Sequence, residues 1–323
     1  MAAGEHADNV YWADVDPDAP NNAHAFSLEL VGRNKRVLEL GPAAGAFTRA
    51  LVAQGCQVVA IEVDPAAARM VEPVAERVIV GSVADPAVLA SAIDDERFDV
   101  VVAGDVLEHL ADPLSALKAA RGALRPGGYV VLSLPNVAHA DVKLQLLAGR
   151  FAYQDTGLLD RTHLHFFTLE SVEEMVRDAG LLMIDLRRVV VPVFRTEQAI
   201  DPASVDPAVL ANATADPESE TYQFVVRALI HDGAAETERL AARVVELETG
   251  RDRERLLRSR AQEERAETAE EAARLRSLLE EAQTHARGFE ELSSAHERHI
   301  AALTSTRSYR MLQPLRSLFA RRR

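Results

Sequence analysis

Val37-Leu38-Glu39-Leu40-Gly41-Pro42-Ala43-Ala44-Gly45 is an apolar run that ends in a turn of small residues. Residues 37–40 read as a short buried strand, and Phe47 to Gln54 as the helix that the turn opens. The first N–H groups of such a helix lack intrahelical partners and face whatever sits above the sheet, so bulk in the turn would block a ligand. The next strand, Gln57 to Ile61, ends at Glu62, about 20 residues after the turn. A carboxylate there is where a ribose diol needs a hydrogen-bond acceptor, which predicts an enzyme with a ribose-bearing cofactor.

The strand–helix alternation continues outward from this stretch. Phe98 to Gly104 reads as a buried strand running into Asp105-Val106-Leu107-Glu108-His109-Leu110 at its carboxyl end, the edge where open parallel sheets bind ligands. A helix over Pro113 to Leu124 meets Arg125-Pro126-Gly127-Gly128, read as a helix stop and tight turn, before the strand Tyr129 to Leu134 and Pro135-Asn136. Ala138 to Gly149 is a helix. Arg150 to Thr168, rich in aromatic, histidine and charged residues without periodicity, is a substrate-facing loop. Thr168 caps a helix through Asp178, with Glu170, Glu173 and Glu174 near its positive end. Leu181 to Val193 and Tyr222 to Ile230 are the remaining strands. The Asp-Pro steps of 194–221 mark a surface insertion.

The glycine turn, the acidic end of the second strand, Asp105 to Leu110 and Leu124-Arg125-Pro126-Gly127-Gly128 together resemble the class I S-adenosylmethionine-dependent methyltransferases, over about Tyr11 to Ile230. Pro135-Asn136-Val137-Ala138-His139 and Gly157 to Thr168 are similar to the bacterial branch associated with glycosyltransferases and surface-polysaccharide assembly. The resemblance implies an α/β, Rossmann-like, mostly parallel seven-stranded sheet with helices on both faces, its last strand antiparallel. It implies S-adenosylmethionine as cofactor, held by Glu39, Gly41, Ala43, Gly45, Glu62, Val63, Ser82, Val83 and Asp105.

A nicotinamide-dependent dehydrogenase shares the strand, turn and acidic residue, but its fingerprint needs glycines at 41, 43 and 46, where this chain has Gly41, Ala43 and Ala46. The methyltransferase pattern itself usually has glycine where Ala43 stands and often cysteine where Pro42 stands. Alanine fits the turn if its φ is negative. Gly81-Ser82 stands where the family usually has Gly-Asp, whose aspartate reaches the adenine amino group; Ser82 or Asp85 is the available substitute.

The 323 residues exceed one such domain, and 48% hydrophobic content suffices for a buried core. A formal net charge of −14 argues against nucleic acid as a partner. Cys56, the single cysteine, allows neither a disulfide framework nor a multi-cysteine zinc site and fits a reducing cytoplasm. There is no apolar leader segment and no apolar run of about 18 residues. The expected organisation is an N-terminal loop and capping helix (1–35), the catalytic domain (36–231), a coiled coil (234–303) and a basic amphipathic tail (304–323). Tyr11 or Trp12 in the first segment has an aromatic face suited to adenine or a sulfonium.

From Ala234 the composition turns to Glu, Arg, Ala and Leu, with no proline until Pro314. Ala272, Leu275, Leu279, Ala282, Ala286, Phe289, Ser293, His296, Ile300 and Leu303 alternate spacings of three and four, a heptad seam that predicts a parallel homodimer or homotrimer. The tail has six arginines and no acidic residue, interleaved with Tyr309, Met311, Leu312, Leu315, Leu318 and Phe319. It suits anionic lipid at the inner membrane face or docking on a glycosyltransferase.

A sugar hydroxyl is a poor nucleophile at neutral pH, so a positioned histidine base is expected. Of His109, His139, His163 and His165, the loop residue His163 is the first candidate and His139 the second, with His109 structural. Asp105 orients cofactor or acceptor, and Asp160 supports a histidine. No metal ligand set is assigned and a magnesium requirement stays open. The resulting expectation is a cytoplasmic enzyme that O-methylates a saccharide (a glycan, nucleotide-sugar or lipid-linked sugar) in cell-surface polysaccharide biosynthesis. The alternatives are a small-molecule or natural-product methyltransferase and a catalytically silent scaffold for a glycan assembly complex.

Overall fold

The computed structural model describes residues 15–93, 97–231 and 235–305. Tyr11, Trp12 and nearly all of the basic tail lie outside these residues. In chain order the elements are α1 (Ala23–Val31), β1 (Arg36–Leu40), α2 (Ala46–Ala53), β2 (Gln57–Glu62), α3 (Pro65–Val71), β3 (Arg77–Val80), α4 (Pro86–Ala92), β4 (Phe98–Gly104), α5 (Pro113–Gly122), β5 (Leu124–Pro135), α6 (Ala140–Leu147), α7 (Leu169–Asp178), β6 (Leu181–Val190), α8 (Pro207–Ala213), β7 (Thr221–Ile230) and α9 (Ala235–Ser305). The sequence motifs do not mark α3, β3 and α4.

Seven strands form one sheet in the order β3-β2-β1-β4-β5-β7-β6. β1 to β5 pair in parallel, and β7 runs antiparallel between β5 and β6, as the resemblance implied. The strand order reverses between β1 and β4, so their carboxyl ends diverge into the crevice where such sheets bind ligands.

Alternate residues of each strand supply the two faces, because the side-chain period of a strand is two. Leu38, Leu40, Val59, Ile61, Val101 and Ala103 pack with Leu89 of α4, Leu117 of α5 and Val172 of α7. Val37, Val58, Val100 and Val102 pack on the other face with Leu28 and Val31 of α1 and Leu51 of α2. At about 25 cal/mol per Å² of apolar surface, these two layers drive folding.

One local device recurs. Asp64-Pro65, Asp85-Pro86, Asp112-Pro113, Asp201-Pro202 and Asp206-Pro207 each begin a helix or helical turn, the aspartate accepting a backbone N–H and the proline standing at the first helical position. Proline lacks only an N–H that would have no intrahelical partner there. Two of the three Asp-Pro steps of 194–221 are therefore helix starts, while Asp216-Pro217 lies in the turn before β7. That insertion is also packed: Ile200 and Ala213 form a core with Ala140 and Leu144 of α6.

Arg125 to Gly128 corrects the sequence reading. Helix α5 already ends at Ala123, and residues 125–128 lie within β5 as an irregularity against β4. A Cβ at Gly128 would stand 3.0 Å from the Asp99 carbonyl, so only glycine lets the strands approach there.

The chain divides into two compact units, Met1–Arg253 and Glu254–Arg323. The first unit extends beyond the expected boundary at 234: Ala241 is buried, Val245 packs on the core, and Glu248 pairs with Arg187 at 2.7 Å. In the second unit the described residues are helical through Ser305, with Leu275, Leu278, Leu292, Ile300 and Leu303 exposed. Among the described residues no helix is long and apolar enough to cross a membrane.

Candidate active site

The crevice begins at the turn after β1. Gly41 and Gly45 both have positive φ, 66° and 78°, and a Cβ at Gly41 would come 2.8 Å from Val106 Cγ2. The β1 and β4 ends thus close on each other with no room for a side chain. Ala43 has φ 48°, contrary to the negative φ that alanine was expected to need. The left-handed conformation costs an alanine about 1 kcal/mol. What offsets it is visible: the Ala43 N–H donates to Glu62 Oε2 at 2.9 Å.

Glu62 also accepts the Asp64 N–H on Oε1 at 2.9 Å and is buried. A carboxylate has about four lone-pair positions, so two remain for a diol. Glu39 lies beneath the turn, buried, accepting Thr48 Oγ1 at 2.7 Å. Burial pushes its carboxyl up to about 7, against the Thr48 bond and with a further upward contribution from Glu62. Val63 is 67% exposed, an apolar surface at the rim, whereas Val83 belongs to the core. Ser82 Oγ accepts the Ala84 N–H at 3.2 Å, and Asp85 Oδ1 caps α4 through Ala87 N–H at 2.8 Å. Asp85 is thus the cap of α4.

Asp105 follows β4 with φ 54°, a second non-glycine residue in the left-handed region at this edge. Its Oδ1 accepts Ser133 Oγ of β5 at 3.3 Å and Gln223 Nε2 of β7, so three neighbouring strands fix it. Asp105 opens to solvent, but the protein crowded around it raises its carboxyl above the usual range. His24, the Ser133 bond, His109 and His163 pull it back down. His24, in the first turn of α1, is a site residue that sequence reading missed, since nothing in its local pattern points across the sheet edge.

The histidines separate. His139 is fully buried: Nδ1 accepts the Asp141 N–H at 3.1 Å as the cap of α6, and Nε2 lies 2.9 Å from the Val191 carbonyl. Both ring nitrogens are occupied, so His139 is a structural residue rather than a base. His165 Nε2 donates to the Ala111 carbonyl at 3.2 Å. His109 Nδ1 lies 3.2 Å from the Thr162 carbonyl and 3.1 Å from Thr162 Oγ1, whose hydroxyl donates to Asp160 Oδ1 at 2.6 Å. A carbonyl only accepts, so Nδ1 carries the proton and Nε2 a lone pair.

His163 is half-buried, its ring centroid 4.9 Å from that of His109. Burial, then His109, lowers its pKa, which keeps the ring neutral at pH 7. Its Nδ1 is buried and without a hydrogen-bond partner. The loop that carries it is strapped down by Leu164 and His165 N–H groups donating to the Glu108 carbonyl at 2.8 and 3.0 Å. Beside it Phe151, Tyr153 and Phe166 form an aromatic cluster with centroids 5.3–6.5 Å apart, Phe151 and Tyr153 being largely exposed. The structure therefore brings Asp105, His24, His109 and His163 together at one edge, with Glu62 and the glycine turn beside them, and leaves His139 out.

Residues 11–186 match the methyltransferase-domain family. A ubiquinone biosynthesis O-methyltransferase of Cereibacter sphaeroides is 28% identical over 168 residues, 51% of this chain and 67% of that protein. One from Hydrogenovibrio crunogenus is 37% identical over 92 residues, 28% of this chain and 37% of that protein. The 1,6-didemethyltoxoflavin-N1-methyltransferase of Burkholderia thailandensis, solved with 1,6-didemethyltoxoflavin and S-adenosylhomocysteine, is 21% identical with a TM-score of 0.44, covering 70% of this chain and 84% of that one.

Proposed function

Since this chain belongs to the methyltransferase-domain family and takes S-adenosylmethionine as its methyl donor, we propose that it methylates a hydroxyl oxygen of a ring-bearing acceptor, in the first place a saccharide. The donor, when bound, supplies an electrophilic methyl group on a sulfonium. The residues present fit it: Gly41 admits no Cβ beside Val106, the turn through Gly45 carries nothing larger than Ala43, Ala44 and Pro42, and Glu62 keeps acceptor capacity at the ribose position.

The observation that carries the oxygen chemistry is His163, a neutral ring at the acceptor side with an unpartnered Nδ1. It takes the hydroxyl proton as the oxygen attacks, a role worth roughly 10²–10⁴ in rate. Asp105, held by Ser133 and Gln223, positions groups at the end of β4. Phe151, Tyr153 and Phe166 offer flat apolar area to the face of a ring. The resemblance of 135–168 to the surface-polysaccharide branch supports a sugar, and the exposed Leu275, Ile300 and Leu303 of α9 with the sequence of the basic tail support assembly as an oligomer near a membrane or glycosyltransferase. A second reading, a phenolic small molecule, is favoured by the name of the Cereibacter sphaeroides relative.

The deciding experiment supplies labelled donor with nucleotide-sugars, lipid-linked glycans and catechols. Label in glycan supports the first reading, label in catechols alone replaces it with the second, and label in neither, with no donor binding, returns the scaffold alternative.

A further inference from the structure

The side chains that point into the acceptor side leave a specific vacancy of charge. Glu108, on the helical turn Leu107–His109, is fully buried, and neither of its carboxylate oxygens has a hydrogen-bond partner. A buried carboxylate without partners is among the costliest arrangements a protein can hold. One ligand atom each from Glu108, His109 and His163 lie within 4.8 Å of one another. We propose that these three side chains bind one divalent ion of the zinc, cobalt or manganese class.

The ring orientations agree with this. His109 donates through Nδ1 to Thr162, itself held by Asp160, so its lone pair is on Nε2. A second residue that fixes the tautomer of a ligating histidine is the usual support of a metal site. The buried Nδ1 of His163 has no hydrogen-bond partner. Two imidazoles and one carboxylate suit borderline ions, whereas magnesium prefers an all-oxygen shell.

Three protein ligands leave positions open to an acceptor hydroxyl, which an ion makes more acidic. The inference rests on the reading of this cleft as the acceptor site and changes the agent: with an ion bound, His163 is a ligand and the hydroxyl proton leaves to solvent. The oxygen then forms its bond to the methyl carbon as the carbon–sulfur bond of the donor breaks.

The test uses the full chain freed of metal by a chelator and titrated with zinc chloride and cobalt chloride by calorimetry, with the visible absorption of cobalt as a second readout. The expected result is one ion per chain and a weaker response to magnesium. Glu108→Gln and His163→Asn should each lose at least about tenfold in ion affinity while retaining S-adenosylhomocysteine binding. Should Glu108→Gln fail to fold, His163→Asn, on the half-buried loop, decides. No saturable binding, or binding unchanged in the variants, overturns the proposal. Wild type that takes S-adenosylhomocysteine but no ion overturns only this inference; wild type that takes neither overturns the methyltransferase reading with it.

Discussion

The backbone N–H of Ala43 donates to Glu62 Oε2 at 2.9 Å, so the carboxylate that ends β2 clamps the turn that ends β1. The residue expected to receive a ribose also holds the glycine turn in place. Glu62→Ala should therefore weaken S-adenosylhomocysteine binding by two effects at once. Losing charge-assisted bonds worth about 2–3 kcal/mol corresponds to roughly 30- to 150-fold in Kd. Calorimetry on wild type and variant checks this, and an unchanged Kd would remove Glu62 from the site.

The strain at Ala43 predicts an unusual substitution. Glycine adopts φ 48° freely, while alanine pays about 1 kcal/mol there, similar to the 0.5–1 kcal/mol that glycine loses in chain entropy. Ala43→Gly should leave Tm unchanged or slightly higher and bind S-adenosylhomocysteine at least as well. Ala50→Gly, in the middle of α2, should instead cost about 1 kcal/mol. Equal losses in the two variants would mean that position 43 carries no strain.

Glu39 gives a pH prediction. Its folded pKa, about 7, exceeds the ordinary 4.5 because of burial, so between these values the folded state holds a proton the unfolded state has released. Stability is full below pH 4.5, falls as pH rises and levels off above about 7. Glu39→Gln keeps an acceptor for Thr48 and removes this dependence. Its advantage over wild type without cofactor should grow from pH 5 to 8, to at most about 3 kcal/mol. Thermal melts across that range test it, and a gap that does not vary with pH contradicts it.

The two candidate histidines should respond oppositely. His139→Ala removes a buried cap and two hydrogen bonds, a loss of about 2–3 kcal/mol in unfolding free energy. His163→Ala should melt near wild type and bind S-adenosylhomocysteine normally, with kcat lower by roughly 10²–10⁴. Melting curves and single-turnover methyl transfer separate the two, and a fully active His163→Ala would dismiss the loop histidine.

Two truncations test the division of the chain. Ending it at Arg253 keeps the first compact unit intact and should preserve Tm and cofactor binding while abolishing self-association in sedimentation. Ending it at 234 also removes Val245 from the core and Glu248 from buried Arg187, and should lower Tm by several degrees. Identical behaviour of the two products would mean that residues 235–253 contribute nothing to the first unit.

Much of the fold was legible because it is written in local pattern. The runs Val37–Leu40, Gln57–Glu62 and Phe98–Gly104 are strands because apolar β-formers end at turn residues, and Thr168 caps α7 as its hydroxyl predicts. What misled was also local. Arg125 to Gly128 has the composition of a helix stop, yet it lies inside β5 as the irregularity between Leu124 and Tyr129, which both pair with β4.

The sequence by itself determined the alternation of strands and helices, the acidic end of β2 and the set of histidines near one sheet edge, because periodicity and turn chemistry act over a few residues. Tertiary structure alone decided which histidine is free. His139 is silenced by Val191, 52 positions away, and Glu108 is buried with neither carboxylate oxygen partnered, although Leu164 and His165 bond its backbone carbonyl. Hydrogen-bond satisfaction and burial depend on segments distant in sequence, and no local pattern encodes which of two similar side chains will find a partner.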